Sequence, residues 1–238
     1  STPPAQPPPI SWAVQTGGSS YDVAQAIASD GGTGAFVVGR FESHSTMGST
    51  YLSSRGSGDI FAMHVTAHGV IDWAINAGGS SDDYAYGVAP RTTGGALVTG
   101  RFGSTAYFGP GSTHRLSSSG SYDAFVLSLN GMGAVQWVIK VGGSSHDQGN
   151  AIAHDGSGGA LVTGFFGSRV SFGSHSLSSS GSNDVFIMHV SNSLAPQVTW
   201  AVKVGGRSDD RGKGIASDGS GGAYVTGYFG SSGATFGS

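Results

Sequence analysis

The feature that most constrains the fold of this sequence is a repeat of about sixty residues, present in four copies. Its tryptophans stand 61, 64 and 63 residues apart, each is followed five residues later by a glycine pair, and an aspartate lies four residues beyond that pair. Such a long internal period is typical of proteins built from stacked, equivalent units. The repeated residues are Trp12, Trp73, Trp137 and Trp200, the glycine pairs beginning at Gly17, Gly78, Gly142 and Gly205, and Asp22, Asp83, Asp147 and Asp210.

Each unit contains four strand patterns, which we name A to D in chain order. Strands A and B resemble AIASD and AFVVGRF and are joined by short glycine-rich loops such as DGSGG, which are typical of tight hairpins. Strand C resembles DIFAMHV and strand D carries the tryptophan, as in VIDWAIN. Strand C is apolar on both faces, which indicates a sheet packed between two other sheets. We therefore predict an all-β fold, a β-propeller built of four-stranded antiparallel blades.

The repeat also sets the predicted boundaries. Residues 1–9 form a proline-rich leader or linker, and residues 10–238 form the repeats, beginning with an N-terminal D strand at 10–18. The last unit supplies only strands A and B, so the chain accounts for about four blades, the last incomplete. Either one thin blade closes the ring, or further sequence or a second molecule completes it. The blade units are 23–79, 84–143, 148–206 and 211–238.

The unit resembles the bacterial β-propeller repeat known as the SBBP repeat. The matching pattern is W-x4-GG-x3-D, then AIA-x-DG-x-GG, then a VTG-F core and SG-x-x-D-x-F, and it covers essentially residues 10 to 238. The resemblance implies the propeller architecture. It implies little about activity, because such repeats are found in many large extracellular or cell-surface proteins that share no known function.

Composition narrows the classes of partner. Only 11% of residues are charged, the net charge is −3, and cysteine is absent. A nucleic-acid partner would require a concentrated basic face, and the apolar runs are too short for insertion into a membrane. We expect neither nucleic acid nor membrane insertion. The leader suits a secreted, periplasmic or cell-surface domain held away from a surface, although it is equally typical of a disordered end.

The repeated acidic residues have two interpretations. Asp22, Asp83, Asp147 and Asp210, like Asp59, Asp123 and Asp184 before strand C, recur in every blade, which favours carboxylates that accept backbone N–H bonds in turns. The alternative is a ring of carboxylates that binds a cation. Asp30, Asp155 and Asp218 resemble calcium loops, but Arg91 stands there in the second copy, and Ser128 replaces His64 and His189. We expect no catalytic set, metal or cofactor.

The stretches that differ most between copies link strands B and C, at residues 42–58, 103–122 and 167–183. Loops on a rigid scaffold are where partners commonly bind, although sequence drift in surface loops explains the variation equally well. The candidate partner-binding residues there are His44, Arg55, Tyr107, His114, Arg115, Arg169 and His175.

These observations favour a non-enzymatic extracellular or cell-surface protein that binds a protein or glycan, or is a subunit of an assembly. The first alternative is a structural spacer or fibre subunit, which would self-associate through the incomplete last blade. The second is a propeller hydrolase or lyase. It would need residues that break the repeat at one point, and the breaks at Pro90, Arg91, Tyr107 and His114 form no evident acid–base set.

Overall fold

The strands of this protein account for nearly all of its regular structure. The computed structural model describes residues 12–112, 114–193, 195–230 and 233–236. It is 66% strand and 1% helix, which confirms the predicted all-β fold class. The leader at 1–9, and residues 10 and 11 of the predicted N-terminal strand, lie outside the described residues. Within the described ranges the helical content is one 3₁₀ turn, Pro110–Ser112.

Twenty strands follow one another in the described residues. In chain order they are β1 (Gly17–Gly18), β2 (Asp22–Ser29), β3 (Ala35–Phe41), β4 (His44–Met47), β5 (Thr50–Ser53), β6 (Asp59–Val65), β7 (Ile71–Gly79), β8 (Tyr84–Pro90), β9 (Ala96–Phe102), β10 (Thr105–Phe108), β11 (His114–Ser117), β12 (Asp123–Leu129), β13 (Val135–Gly143), β14 (Gln148–His154), β15 (Ala160–Phe172), β16 (His175–Val190), β17 (Val198–Gly205), β18 (Asp210–Ser217), β19 (Ala223–Phe229) and β20 (Thr235–Phe236).

Strands A to D of each unit form an antiparallel sheet in sequence order. The first unit is β2-β3-β6-β7, the second β8-β9-β12-β13 and the third β14-β15-β16-β17, while the fourth contributes β18 and β19. Each A strand carries a bulge opposite strand B, with the register shift between Ala85 and Gly87 in β8. The bulge bends strand A at the point where it packs against its neighbours.

The stretches between strands B and C are hairpins, not the loops that their serine- and glycine-rich sequences suggest. The hairpin β10-β11 leaves the second unit and pairs with β7, the D strand of the first. The outer end of β15 pairs in the same way with β13 of the second unit, and β16 pairs with β15. In β10 the buried Ala106 and Phe108 alternate with half-buried residues, and this alternation stabilises the short strand. Each sheet is thus extended by strands from the next unit.

Successive units pack with their sheets face to face. Strand β2 packs on β8, β8 on β14, and β14 on β18. The space between them is filled by apolar residues of strands B and C, including Leu97, Phe125 and Phe186, all of which are fully buried. Neighbouring propeller blades would pack in this way. The number of blades in a closed ring stays a prediction.

Two of the repeated tryptophans, Trp12 and Trp73, contact the unit that follows them. The Nε1–H of Trp73 donates to the carbonyl oxygen of Gly131, 3.0 Å away in the turn between strands C and D of the following unit, and Trp12 bonds Ala67 in the same way at 2.8 Å. The indole of Trp73 also packs under Gly133, where a β-carbon would lie 2.7 Å from the ring. Glycine in this turn therefore lets the tryptophan lie against the neighbouring unit.

Candidate functional site

The repeated aspartates at the start of strand A bind backbone N–H groups in the turn between units. Asp83 accepts from Gly79 at 2.7 Å and from Gly103 at 2.9 Å, and Asp147 accepts from Gly143 at 2.7 Å and Gly167 at 3.1 Å. Asp22 and Asp210 make the equivalent bonds to Gly18 and Gly206. In the second, third and fourth units the carboxylate thus binds both the end of the preceding strand D and the start of the next B-to-C hairpin, whereas Oδ1 of Asp22 has no partner.

The aspartates that open strand C are buried beside them. Asp123 and Asp184 accept backbone N–H bonds from Ser119 and Ser180. They also form ion pairs with Lys140 and Lys203, at 3.2 and 3.3 Å.

In the first unit the equivalent Asp59 has a different neighbour. Asn76 occupies the position of these lysines. Its side-chain amide bonds the carbonyl of Ser53 instead. One oxygen of Asp59 is buried without a partner, as is one oxygen of Asp184, so the missing lysine is what sets Asp59 apart. This carboxylate therefore lacks the lysine that compensates its counterparts.

Burial raises the pKa of several of these carboxyl groups. Desolvation raises the pKa of Asp83 and of Asp147 to about 7 and that of Asp59 to about 6, and the backbone N–H bonds only partly oppose it. The opposite holds on the hairpins between strands A and B. There Asp30 and Asp218 have pKa values lowered chiefly by backbone N–H bonds from Gly32 and Ser220.

We expect the protein to be more stable at pH 5 than at pH 8. Between about pH 4 and pH 7 the folded state binds more protons than the unfolded state through Asp59, Asp83 and Asp147, so stability falls as the pH rises through this range. Below about pH 4 the carboxyls with lowered pKa dominate, so stability falls again as the pH is lowered further. The melting temperature, measured by circular dichroism, should rise by about 5 °C or more from pH 8 to pH 5.

The variant Asn76→Lys provides the matched control, because it restores the lysine found beside Asp123 and Asp184. It should raise the melting temperature more at pH 8 than at pH 5, so that the melting temperature of the variant depends less on pH. A melting temperature that is constant or rises from pH 5 to pH 8 in the natural chain would show that these carboxyls are not held in the protonated form.

The histidines of strand C bind the aspartates of the A-to-B hairpins. His64 Nε2 lies 3.1 Å from Asp30 Oδ2, and His189 Nε2 lies 2.8 Å from Asp155 Oδ2. The second unit has Ser128 and Arg91 at these positions, and Arg91 bonds the carbonyl of Leu129. The aspartate and the histidine are thus replaced together. Such paired replacement indicates that the contact stabilises the sheet and is not a ligand-binding site.

The predicted partner-binding residues are spread over the B-to-C hairpins. The structure brings Arg55 and Tyr107 together, with the guanidinium 5.4 Å from the ring centroid. His44 stacks on Tyr51 of its own hairpin, and His175 lies at the start of β16. His114 and Arg115 belong to β11, and Arg169 bonds Ser176. These contacts place the seven residues in three different B-to-C segments.

A row of arginine and tyrosine side chains lies at the junctions between the first three units. We call Arg40, Tyr84, Tyr86, Arg101 and Tyr122 the arginine–tyrosine row. The guanidinium of Arg40 lies 4.9 Å from the ring of Tyr84, and that of Arg101 lies 4.7 Å from Tyr84 and 4.6 Å from Tyr122. Tyr84 and Tyr86 stack in parallel, with their ring centroids 5.5 Å apart. Arg40 is buried, and the other four members of the row are half-buried.

The row continues into the third and fourth units with other residue types. His146 lies 5.2 Å from Tyr122 and from Phe165, and the guanidinium of Arg211 lies 4.2 Å from Phe165. Tyr228 donates to Asp209 at 2.7 Å. These residues occupy the start of strand A, the end of strand B and the turn before strand A. They lie at the end of the sheets from which the B-to-C hairpins leave.

The sequence carried a signal for this row. The residue before the repeated aspartate is Tyr, Asp, His and Asp in the four copies, and the residue before the last phenylalanine of strand B is Arg, Arg, Phe and Tyr. Both positions vary while their neighbours repeat. The sequence alone does not single them out, because only the register of the folded sheets shows that variable positions on two strands and one turn are adjacent.

Comparison with known proteins adds no identification. No protein-family model matches the chain, and no curated protein is similar to it. In the described part of the chain there is no cluster of three or more histidine, aspartate or glutamate side chains that could hold a metal ion. The same residues include no helix of the length and apolarity needed to cross a bilayer.

Proposed function

We propose that this chain is a non-enzymatic binding or scaffolding module of the cell exterior that binds a protein or glycan through the arginine–tyrosine row. The observation that supports this proposal is that two repeat positions whose residue type differs between units, those of Arg40 and Asp82 in the first junction, are adjacent at one end of the sheets. A rigid repeated scaffold with variable residues on one surface is how many binding proteins are built. The resemblance to SBBP repeats agrees with a bacterial secreted or surface location.

The surroundings of the acidic residues support a binding role over catalysis. The carboxyls with the most strongly raised pKa, those of Asp83 and Asp147, are fully buried and engaged by backbone N–H groups, where no substrate reaches them. The histidines His64 and His189 are held by aspartates in the same way in two units. An active site would instead need groups that occur once and face a substrate.

Binding can be tested by pull-down and glycan array with the intact chain, comparing two tyrosine variants. Tyr122→Ala removes one ring of the row, and we expect it to weaken the retained partner at least about tenfold, the size of a moderate interface hot spot. Tyr51→Ala, on the exposed hairpin β4-β5, is the matched control and should bind as the natural chain does. Undiminished binding by Tyr122→Ala, or loss of binding in Tyr51→Ala alone, would place the contact surface on the hairpins instead.

The second candidate function is that of a structural subunit, and the outer faces of the first and last units favour it. Tyr224 is 70% exposed, whereas Leu97 at the equivalent position is fully buried. Ile27 is 71% exposed, whereas its counterpart Val88 is 8% exposed. Exposed apolar faces of this kind are typical of association surfaces. Filaments in electron micrographs of the purified chain, abolished by Tyr224→Lys, would support this function over the first.

A further inference from the structure

Arg40 and Arg101 occupy the same position of the repeat but have different partners. Arg40 forms ion pairs with Glu42, two residues further on, and with Asp82, which precedes the repeated aspartate of the next unit. At the corresponding positions around Arg101 the chain has Gly103 and His146. Among the residues that the structure describes, no carboxylate forms an ion pair with Arg101. The same position of the repeat thus holds Arg40, whose charge is neutralised by carboxylates, and Arg101, whose charge is not. We call Arg101 the uncompensated arginine.

The uncompensated guanidinium is held in place by neutral groups. It lies between the rings of Tyr84 and Tyr122, and its Nη1 lies 3.1 Å from His146 Nε2 and 3.2 Å from Gln148 Oε1. Its Nε is buried and has no acceptor, which is also true of the Nε of Arg40. What differs is that Arg101 has no carboxylate partner; a half-buried guanidinium of this kind is costly unless an anion binds it, and a guanidinium favours planar oxyanions.

The surroundings of Arg101 indicate which molecule would carry that oxyanion. A single uncompensated cation matches a ligand with isolated negative charges, whereas an acidic peptide would need several cations in a row. Tyr84 and Tyr86 stack in parallel beside the cation, at an interplanar angle of 1°, and both side chains are half-buried. Aromatic surface next to one charge and several hydroxyl groups suits a sugar ring that bears a carboxylate or a sulfate ester.

We infer that Arg101 and the tyrosines around it bind the carboxylate or sulfate group of an acidic glycan. This inference rests on the proposed binding function and names the ligand class of the same surface. His146 is central to it, because it stands where Asp82 neutralises Arg40. An aspartate at position 146 would form an ion pair with Arg101 and so take the place of the ligand's negative group.

The test is calorimetric titration of the intact chain with an oligogalacturonate, the same oligosaccharide as its methyl ester, inorganic sulfate and hexaglutamate. We expect the oligogalacturonate to bind at least about tenfold more tightly than the ester, a difference of about 1.4 kcal/mol. The variant His146→Asp should lose that preference and keep or raise the melting temperature, since it pairs with Arg101 as Asp82 pairs with Arg40. His175→Asp makes the same substitution on a distant hairpin and should bind as the natural chain does.

Four results would overturn the inference. Equal binding of acid and ester would exclude recognition of the charge, and unchanged preference in His146→Asp would place the anion elsewhere. Tighter binding of hexaglutamate than of oligogalacturonate would assign the site to an acidic protein. Binding of inorganic sulfate abolished by His146→Asp supports the anion site by itself. If the chain retains a partner in pull-downs but binds none of these anions, the inference fails and the proposed function stands.

Discussion

Replacement of Asp147 by alanine is expected to destabilise the protein by about 2–4 kcal/mol, because two buried backbone donors lose their acceptor. The carboxylate accepts from Gly143 at the end of strand D of the second unit and from Gly167, where the hairpin of the third unit begins. Without it, neither the turn between the units nor the start of the hairpin is held. Urea unfolding followed by tryptophan fluorescence measures the loss.

The control for this prediction is Asp72→Ala. Asp72 lies on the surface and bonds His64 at 2.8 Å, so its removal should cost less than about 1 kcal/mol. A loss for Asp147→Ala no greater than that for Asp72→Ala would show that solvent replaces the carboxylate and that it does not organise the junction.

The second large effect is expected from Gly100→Ala, at about 3 kcal/mol or more. Gly100 is the glycine of the VTG pattern in strand B, and it faces the bulge of β8. A β-carbon at this position would overlap the carbonyl oxygen of Tyr84. The same overlap arises at Gly39, Gly164 and Gly227 with the strand A carbonyls opposite them. The glycine is therefore a steric requirement of every A–B pair.

The substitution Gly131→Ala is the matched control. No atom outside its immediate neighbours lies closer than 4.0 Å to a β-carbon at position 131, and the carbonyl that accepts from Trp73 is kept. We expect a change within about 0.5 kcal/mol. Thermal unfolding of both variants tests the prediction that Gly100→Ala is much the less stable. Similar melting temperatures for the two would mean that β8 can move away from β9 at little cost in free energy.

The sequence predicts the fold well wherever the pattern is local. Strands A to D follow from alternation, glycine-rich hairpins and the repeated tryptophan, and these elements are present in the structure. The B-to-C hairpins could not be predicted, because their partner is the D strand of another unit. Their serine-rich strands, such as His114–Ser117, have little β-propensity of their own. Strand β11 is instead stabilised by pairing with β10, which in turn pairs with β7.

The candidate site was less accessible to prediction for a related reason. Tyr84, Arg101 and Tyr122 stand about twenty residues apart along the chain, and each alone is an ordinary strand residue. Only the pairing of Tyr84 with Arg101 and of β9 with β12 brings them together. Asp82, which pairs with Arg40, and His146, which contacts Arg101, both come from the following unit. The difference in charge neutralisation between the two arginines can therefore be recognised only when the stacking of the units is known.

The hairpins that cross from one unit to the preceding sheet have a consequence for how such arrays grow. The segment that would be duplicated in a gene, from one tryptophan to the next, is offset from the sheet that it helps to build. Each added copy therefore brings the strands that finish its predecessor, as β10 and β11 do for the sheet containing β7. Lengthening the array needs no new interface, whereas cutting it anywhere leaves one sheet without its outer strands.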